Sequence, residues 1–338
     1  DGAVEADVIA LLGRLYAEEH RWRDAFAMAR RGAQTYPDNE KIRTLQDQAA
    51  TLFEEIFVGG RGESLDRVEA LALFYDFKDF TPPGRLGDDI VRRLAERLVE
   101  LDLLDHASDL LQHQIDHRVT GPYRSTLAAR LAVIYLMNRK PAAALNALKT
   151  TRLPDLAYNV RRARNLLEAR ALSDLSRTDL ALEIAASESG DDVDRLVADI
   201  QWQGRRWRDA GEIYERILGD RWKERQPLSE LERADVLRAG IAYSLADEAL
   251  SIDRLRTKFG AAMASSADAR AFQLVSSPSA ARARGFRELA KQVARADTLT
   301  EFLDEYRKRY PDIPPGAPMK KNAGEPPKAA PAKESDGA

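Results

Sequence analysis

Ile9-Ala10-Leu11-Leu12-Gly13-Arg14-Leu15-Tyr16, then Arg21-Trp22-Arg23-Asp24-Ala25, then Ala29, Gly32 and Pro37, is the stretch on which the fold turns. Leu12 and Tyr16 stand at i and i+4, so on a helix they share one face. Gly13 and Ala25 are expected where the two helices of a pair cross, because a larger side chain would hold the axes apart. Pro37 lacks an N–H and stops the second helix. The pentapeptide Arg21–Ala25 returns unchanged as Arg206-Trp207-Arg208-Asp209-Ala210, so the unit is repeated along the chain.

Weaker copies lie between and beyond. They are Leu94-Ala95 with Leu98, Ala107 and Leu111, then Leu131-Ala132 with Tyr135, Ala144 and Leu148. Ala169, Leu172, Ala181 and Ala185 follow, then Val197-Ala198 with Ala210 and Tyr214, and Ala239-Gly240 with Tyr243. From Ala95 onward the small first-helix residues are 37, 37, 29 and 42 positions apart, so the connecting loops must vary. This pattern resembles the tetratricopeptide repeat, with Ala29 standing where that family usually has an aromatic. Stretches such as Leu71-Ala72-Leu73-Phe74-Tyr75-Asp76-Phe77 also resemble the C-terminal regions of long bacterial proteins that carry such repeats. The resemblance implies an all-α, right-handed α-solenoid of about six helical hairpins over residues 1–260, the second irregular.

Lys41–Phe57 and Leu65–Phe77 read as helices separated by Gly59-Gly60-Arg61-Gly62, and Thr81-Pro82-Pro83-Gly84 ends the second. After Phe259 the repeat fades. Two further helices near Ala283–Arg295 and Thr298–Tyr310 are expected to cap the array across residues 261–310, covering its last apolar face. Seven of the 15 prolines fall in the last 28 residues, so 311–338 reads as a disordered tail. Trp22 and Trp207, at the inter-helix turns, are expected to plug the gap within their own units.

No chemistry announces itself. There is no cysteine, which excludes disulfide frameworks, zinc ribbons and thiol catalysis. Gly59–Gly62 lacks the Lys-Ser/Thr of a phosphate loop. His113 and His117 share a helix face, but two imidazoles fall short of the three or four ligands zinc needs. The runs Arg161-Arg162-Ala163-Arg164 and Arg205-Arg206-Trp207-Arg208 are short and flanked by acids, and read as solvated helix faces rather than a nucleic-acid surface. Net charge is −3, so no global field draws the chain to nucleic acid or an anionic membrane. Neither an enzyme nor a cofactor or metal is expected.

What the resemblance does imply is a concave groove along the first helices. Carried over by register, its candidate contacts are Arg93, Arg130, Met137, Arg170, Asp199, Trp202 and Arg238. Such a groove would suit an extended or helical segment of a protein partner bearing carboxylates and a large apolar side chain. A spacer in a cell-envelope assembly, or a regulatory region of an enzyme whose catalytic part precedes Asp1, are the alternatives. Absence of cysteine and a fragment-like start favour the periplasm or cell envelope over the cytoplasm.

Overall fold

The computed structural model describes residues 2–277, 284–295 and 298–311. The proposed disordered tail lies outside these residues beyond Pro311. Every regular element among them is helical. In chain order they are α1 (Gly2–Glu18), α2 (Trp22–Thr35), α3 (Glu40–Phe57), α4 (Arg67–Phe77), a 3₁₀ turn (Lys78–Phe80), α5 (Arg85–Glu100), α6 (Leu104–His117), α7 (Gly121–Met137), α8 (Pro141–Thr150) and α9 (Tyr158–Asp174). There follow α10 (Thr178–Ala185), α11 (Asp191–Gln203), α12 (Trp207–Leu218), a 3₁₀ turn (Arg221–Lys223), α13 (Glu230–Leu245), α14 (Ala249–Ala264), α15 (Ala269–Ser276), α16 (Arg284–Arg295) and α17 (Thr298–Arg309).

One turn is used six times. Among the described residues, His20, Asp102, Arg139, Ser176, Arg205 and Asp247 are the non-glycine residues with positive φ, all between 58° and 62°. Each closes a first helix and leads into the second helix of its pair. The residue after it donates its N–H to the carbonyl five positions back, as from Arg21 to Tyr16, Lys140 to Tyr135 and Glu248 to Tyr243, at 2.8–2.9 Å. That bond satisfies a helix-end carbonyl that would otherwise be orphaned, and it offsets the left-handed strain. The repeat's small residues hold fixed places around this turn: Gly13, Ala95, Ala132, Ala169, Ala198 and Gly240 precede it, and Ala25, Ala107, Ala144, Ala181 and Ala210 follow it.

The glycines of the first set are small because of a helix outside their own pair. A Cβ on Gly13 would come within 2.7 Å of Leu45 on α3, and one on Gly240 within 2.9 Å of Val275 on α15. The first-helix glycines therefore make room for the next first-register neighbour, not for the partner within their own pair as the sequence suggested. Successive pairs touch in the same way further on, with α7 against α9 and α9 against α11. Their apolar faces merge into three buried clusters, centred near Phe26 and Phe53, near Leu167 and Leu196, and near Tyr214 and Phe259.

The irregular region follows the sequence. Asn39 caps α3 by accepting from the Lys41 and Ile42 amides, and Asp66 caps α4 through Val68. The Thr81–Gly84 corner then presses on α5. A Cβ at Gly87 would stand 1.8 Å from the Pro82 carbonyl oxygen, which accepts from Arg118 Nη2 at 2.9 Å. Gly87→Ala should therefore displace backbone and destabilise the fold by about 3 kcal/mol, the upper end of overpacking costs. Gly260→Ala is the control: its Cβ meets nothing closer than Arg256 Cγ at 3.8 Å, so gaining helix propensity should stabilise by up to about 1 kcal/mol. Urea midpoints of the two variants moving in the same direction would contradict this account.

Candidate functional site

α17 returns from the C-terminal end of the chain to lie against α7, α9 and α11. Its sequence, Thr-Leu-Thr-Glu-Phe-Leu-Asp-Glu-Tyr-Arg-Lys-Arg, puts Leu299, Phe302, Leu303, Tyr306 and then Tyr310 at helical spacing on one side. Glu301 in its first turn and Arg307, Lys308 and Arg309 in its last turn suit the helix dipole. Leu299, Leu303 and Tyr306 are buried in the middle cluster with Leu166, Leu196 and Ala129. The expected cap thus divides in two. α15 and α16 pack at the α13–α14 end, whereas α17 covers the faces of the first helices.

Arginines from those first helices hold it. Arg170 of α9 is only 2% exposed; its Nη1 donates to Thr298 Oγ1 at 3.0 Å, and its guanidinium lies 5.7 Å from the Phe302 ring centroid. Arg162, about two turns earlier on α9, donates to the Tyr310 hydroxyl at 2.6 Å and grips Asp192 with both terminal nitrogens at 2.7 and 2.8 Å. Arg238 of α13 has Nη1 3.6 Å from a carboxylate oxygen of Glu301 and equally far from Asp235. That buried nitrogen makes no hydrogen bond, so its attraction to Glu301 is purely one of charge. Arg309 of α17 returns the pattern to Asp192 at 3.5 Å.

Asp199 sits beneath this layer. Burial pushes its carboxyl up to about 6, against the opposing charges of Arg170 and Arg238 and a 3.0 Å hydrogen bond from the Tyr214 hydroxyl. Arg170 approaches it at 3.9 Å, and Arg195 beside it is committed in two-point contact to Asp235 at 2.7 and 2.9 Å. Trp202 is also closed off, at 7% exposure. Its ring meets Trp207 edge-on at 5.2 Å and Tyr214 at 6.2 Å, so it packs α11 against α12, and what remains of it borders a cleft shared with Arg139, Asp174 and Trp207.

Of the seven groove candidates, Arg170, Asp199 and Arg238 gather under α17, and Trp202 lies inside its own helix pair. Arg130, Met137 and Arg93 remain at the more open end. Arg130 donates to Glu96 at 2.7 Å, Arg93 reaches Asp89 at 3.8 Å, and Arg307 Nη2 of α17 stands 2.6 Å from Met137 Sδ. A cleft of about 240 Å³ opens there, floored by Ala95, Val99, Val133 and Ile134 and edged by Arg92, Arg130 and Tyr306. A second, of about 380 Å³, flanks the other side of α17 beside Arg195, Asp199 and Phe302.

Arg162, Glu301, Phe302 and Tyr306 belong to this site although the repeat register did not select them. The run Arg161–Arg164 is not the solvated face expected of it: Arg162 and Arg164 are both buried. Arg164 donates to the Ser125 and Leu148 carbonyls at 2.6 and 2.5 Å and to Thr151, which joins α7, α8 and α9, and burial lowers its pKa to about 10. The signal for Tyr306 and Phe302 was present in the spacing of α17. The signal for Arg162 was the anionic helix start at Asp191–Asp192.

His113 and His117 lie with ring centroids 4.7 Å apart. Among the described residues no group of three or more His, Asp or Glu side chains is placed to hold a metal ion. No helix among them is long and apolar enough to cross a membrane. Compared with known proteins, this chain matches no family model and no curated protein.

Proposed function

We propose that this chain is a protein-interaction module: a right-handed α-solenoid of tetratricopeptide-like helix pairs that binds a helix along the face of its first helices. The observation that carries this reading is the seating of α17. A helix with an acidic first turn and aromatic residues at Phe302 and Tyr306, followed by Tyr310, lies on Arg170 and Arg238, which the repeat register nominated for an acidic, apolar partner, and on Arg162, which it did not. The chain's own helix has the chemistry expected of that partner. Two-point and charge-assisted donation by Arg gives orientation, and the rings supply most of the apolar burial. In this reading α17 occupies the site in cis, and a partner helix of like chemistry competes for it.

The test uses a labelled peptide spanning residues 297–311 added to the full-length chain carrying Leu303→Asp, which loosens α17 without touching the arginines. The variant should bind the peptide, the unaltered chain at least tenfold more weakly, and Leu303→Asp with Arg170→Ala more weakly than Leu303→Asp alone. Truncating an arginine in a desolvated contact costs about 2–5 kcal/mol. If a variant that remains helical shows no peptide binding, α17 is an ordinary part of the core and the groove reading fails.

A further inference from the structure

α1 carries the one regular apolar seam exposed on a described helix. Val4, Val8, Leu11 and Leu15 are 64%, 48%, 51% and 42% exposed, at i, i+4, i+7 and i+11, the spacing of a helix-pairing stripe. Counted back from the left-handed turn residue, the positions equivalent to Val8, Leu11 and Leu15 in α11 are Val193, Leu196 and Ile200, at 4%, 1% and 0%. In α9, Leu167 and Ala171 are equally closed. Those later stripes are covered by α8 on α9 and by α10 on α11, with α17 also beside Leu196, whereas α5, α7 and α13 carry Arg93, Arg130 and Arg238 at the position of Leu11. No helix among the described residues covers the α1 stripe.

We infer that this seam pairs with its counterpart on a second copy of the chain, α1 against α1 in antiparallel sense about a twofold axis. Charge decides the occupant and the direction. Asp7 and Arg14 flank the stripe on the same side, one heptad apart. In an antiparallel pair with Val8 opposite Leu11, Asp7 of each copy faces Arg14 of the other, twice, and no like charges oppose. Parallel pairing would set Asp7 against Leu12 instead. Both groups are available: Arg14 makes only a 3.4 Å bond to its own helix at the Ala10 carbonyl, and Asp7 pairs through one oxygen with the exposed Lys41 at 2.7 Å. A 17-residue helix is about 25 Å long, so the seam is smaller than the ~800 Å² per partner of a standard interface. The dimer is accordingly concentration-dependent.

Sedimentation velocity of the full chain, from about 1 to 200 μM, should show a monomer passing to a dimer, since a seam of this size suits micromolar association. Leu11→Glu, at an exposed position, should leave helicity and melting midpoint unchanged and abolish the dimer. Asp7→Arg and Arg14→Asp should each weaken self-association at least tenfold. An equimolar mixture of the two single variants should associate as well as the unaltered chain, because every cross-copy pair is then opposite in sign. A monomer at all concentrations, self-association indifferent to Leu11→Glu, or a mixture that fails to recover would each overturn the antiparallel pairing.

Discussion

Trp202→Ala is expected to lose about 3–5 kcal/mol of stability, the cost of truncating a buried tryptophan and leaving its cavity. By register Trp202 belongs to the proposed binding face, and an alanine there would be read as the loss of an anchor. The geometry says otherwise. Its indole is 7% exposed and lies edge-on to Trp207 and Tyr214, within the cluster that also holds Ala210, Val236 and Leu255. Removing it takes contacts from both α11 and α12 and unseats Tyr214, whose hydroxyl donates to Asp199. The melting midpoint should fall by several degrees, while the affinity of a Leu303→Asp background for the 297–311 peptide should fall only with the folded fraction. A variant with unchanged midpoint and lost peptide binding would restore Trp202 to the groove.

The contrast between Trp202 and the turn residues shows what local sequence carries. The 37, 37, 29 and 42 spacing of the small residues is also the spacing of Asp102, Arg139, Ser176, Arg205 and Asp247. A turn is made by residues within a few positions of one another, and its steric demands act directly on them, so it is legible. The fate of Arg170 and Arg238 is not made locally. Each is buried because α17, more than 60 positions away from Arg238 and 128 from Arg170 at Thr298, comes back across the first helices. Nothing in the pattern around Arg170 distinguishes a helix face open to solvent from one that a distant helix covers. The amphipathic spacing of α17 said that it would pack, and its use as an end cap followed from the solenoid picture. Only the matching chemistry, Glu301 and the aromatic rings opposite a row of arginines, could have pointed to those first-helix faces.

Glu215→Gln is expected to cost about 2 kcal/mol at neutral pH, and that cost should vanish as the pH falls to about 2. Glu215 on α12 binds three charged or polar partners from the next pair. Arg254 of α14 makes two contacts at 2.8 Å, Tyr243 of α13 donates at 2.5 Å, and Lys258 reaches it at 3.3 Å. Burial alone would raise its pKa, but these donors outweigh burial and hold it at about 2, below the ordinary 4.5. A carboxyl depressed in the folded state gives stability that is present above 4.5 and is lost as the pH falls from there toward 2. The shift corresponds to about 3 kcal/mol at one pKa unit per 1.36 kcal/mol, and the exposed side of Arg254 lowers the yield to about 2. Asp199 acts in the opposite sense: its carboxyl is raised from 3.8 to about 6, so ionising it costs stability as the pH climbs through that window. Asp199, and the depressed carboxyls besides Glu215 such as Asp192 and Glu232, are common to both chains, so the difference between them reports Glu215. Urea midpoints of the two chains should therefore differ most near pH 7 and meet near pH 2. A constant gap across that range would mean that the amide costs packing and that the carboxylate charge does not tie α12 to α13 and α14.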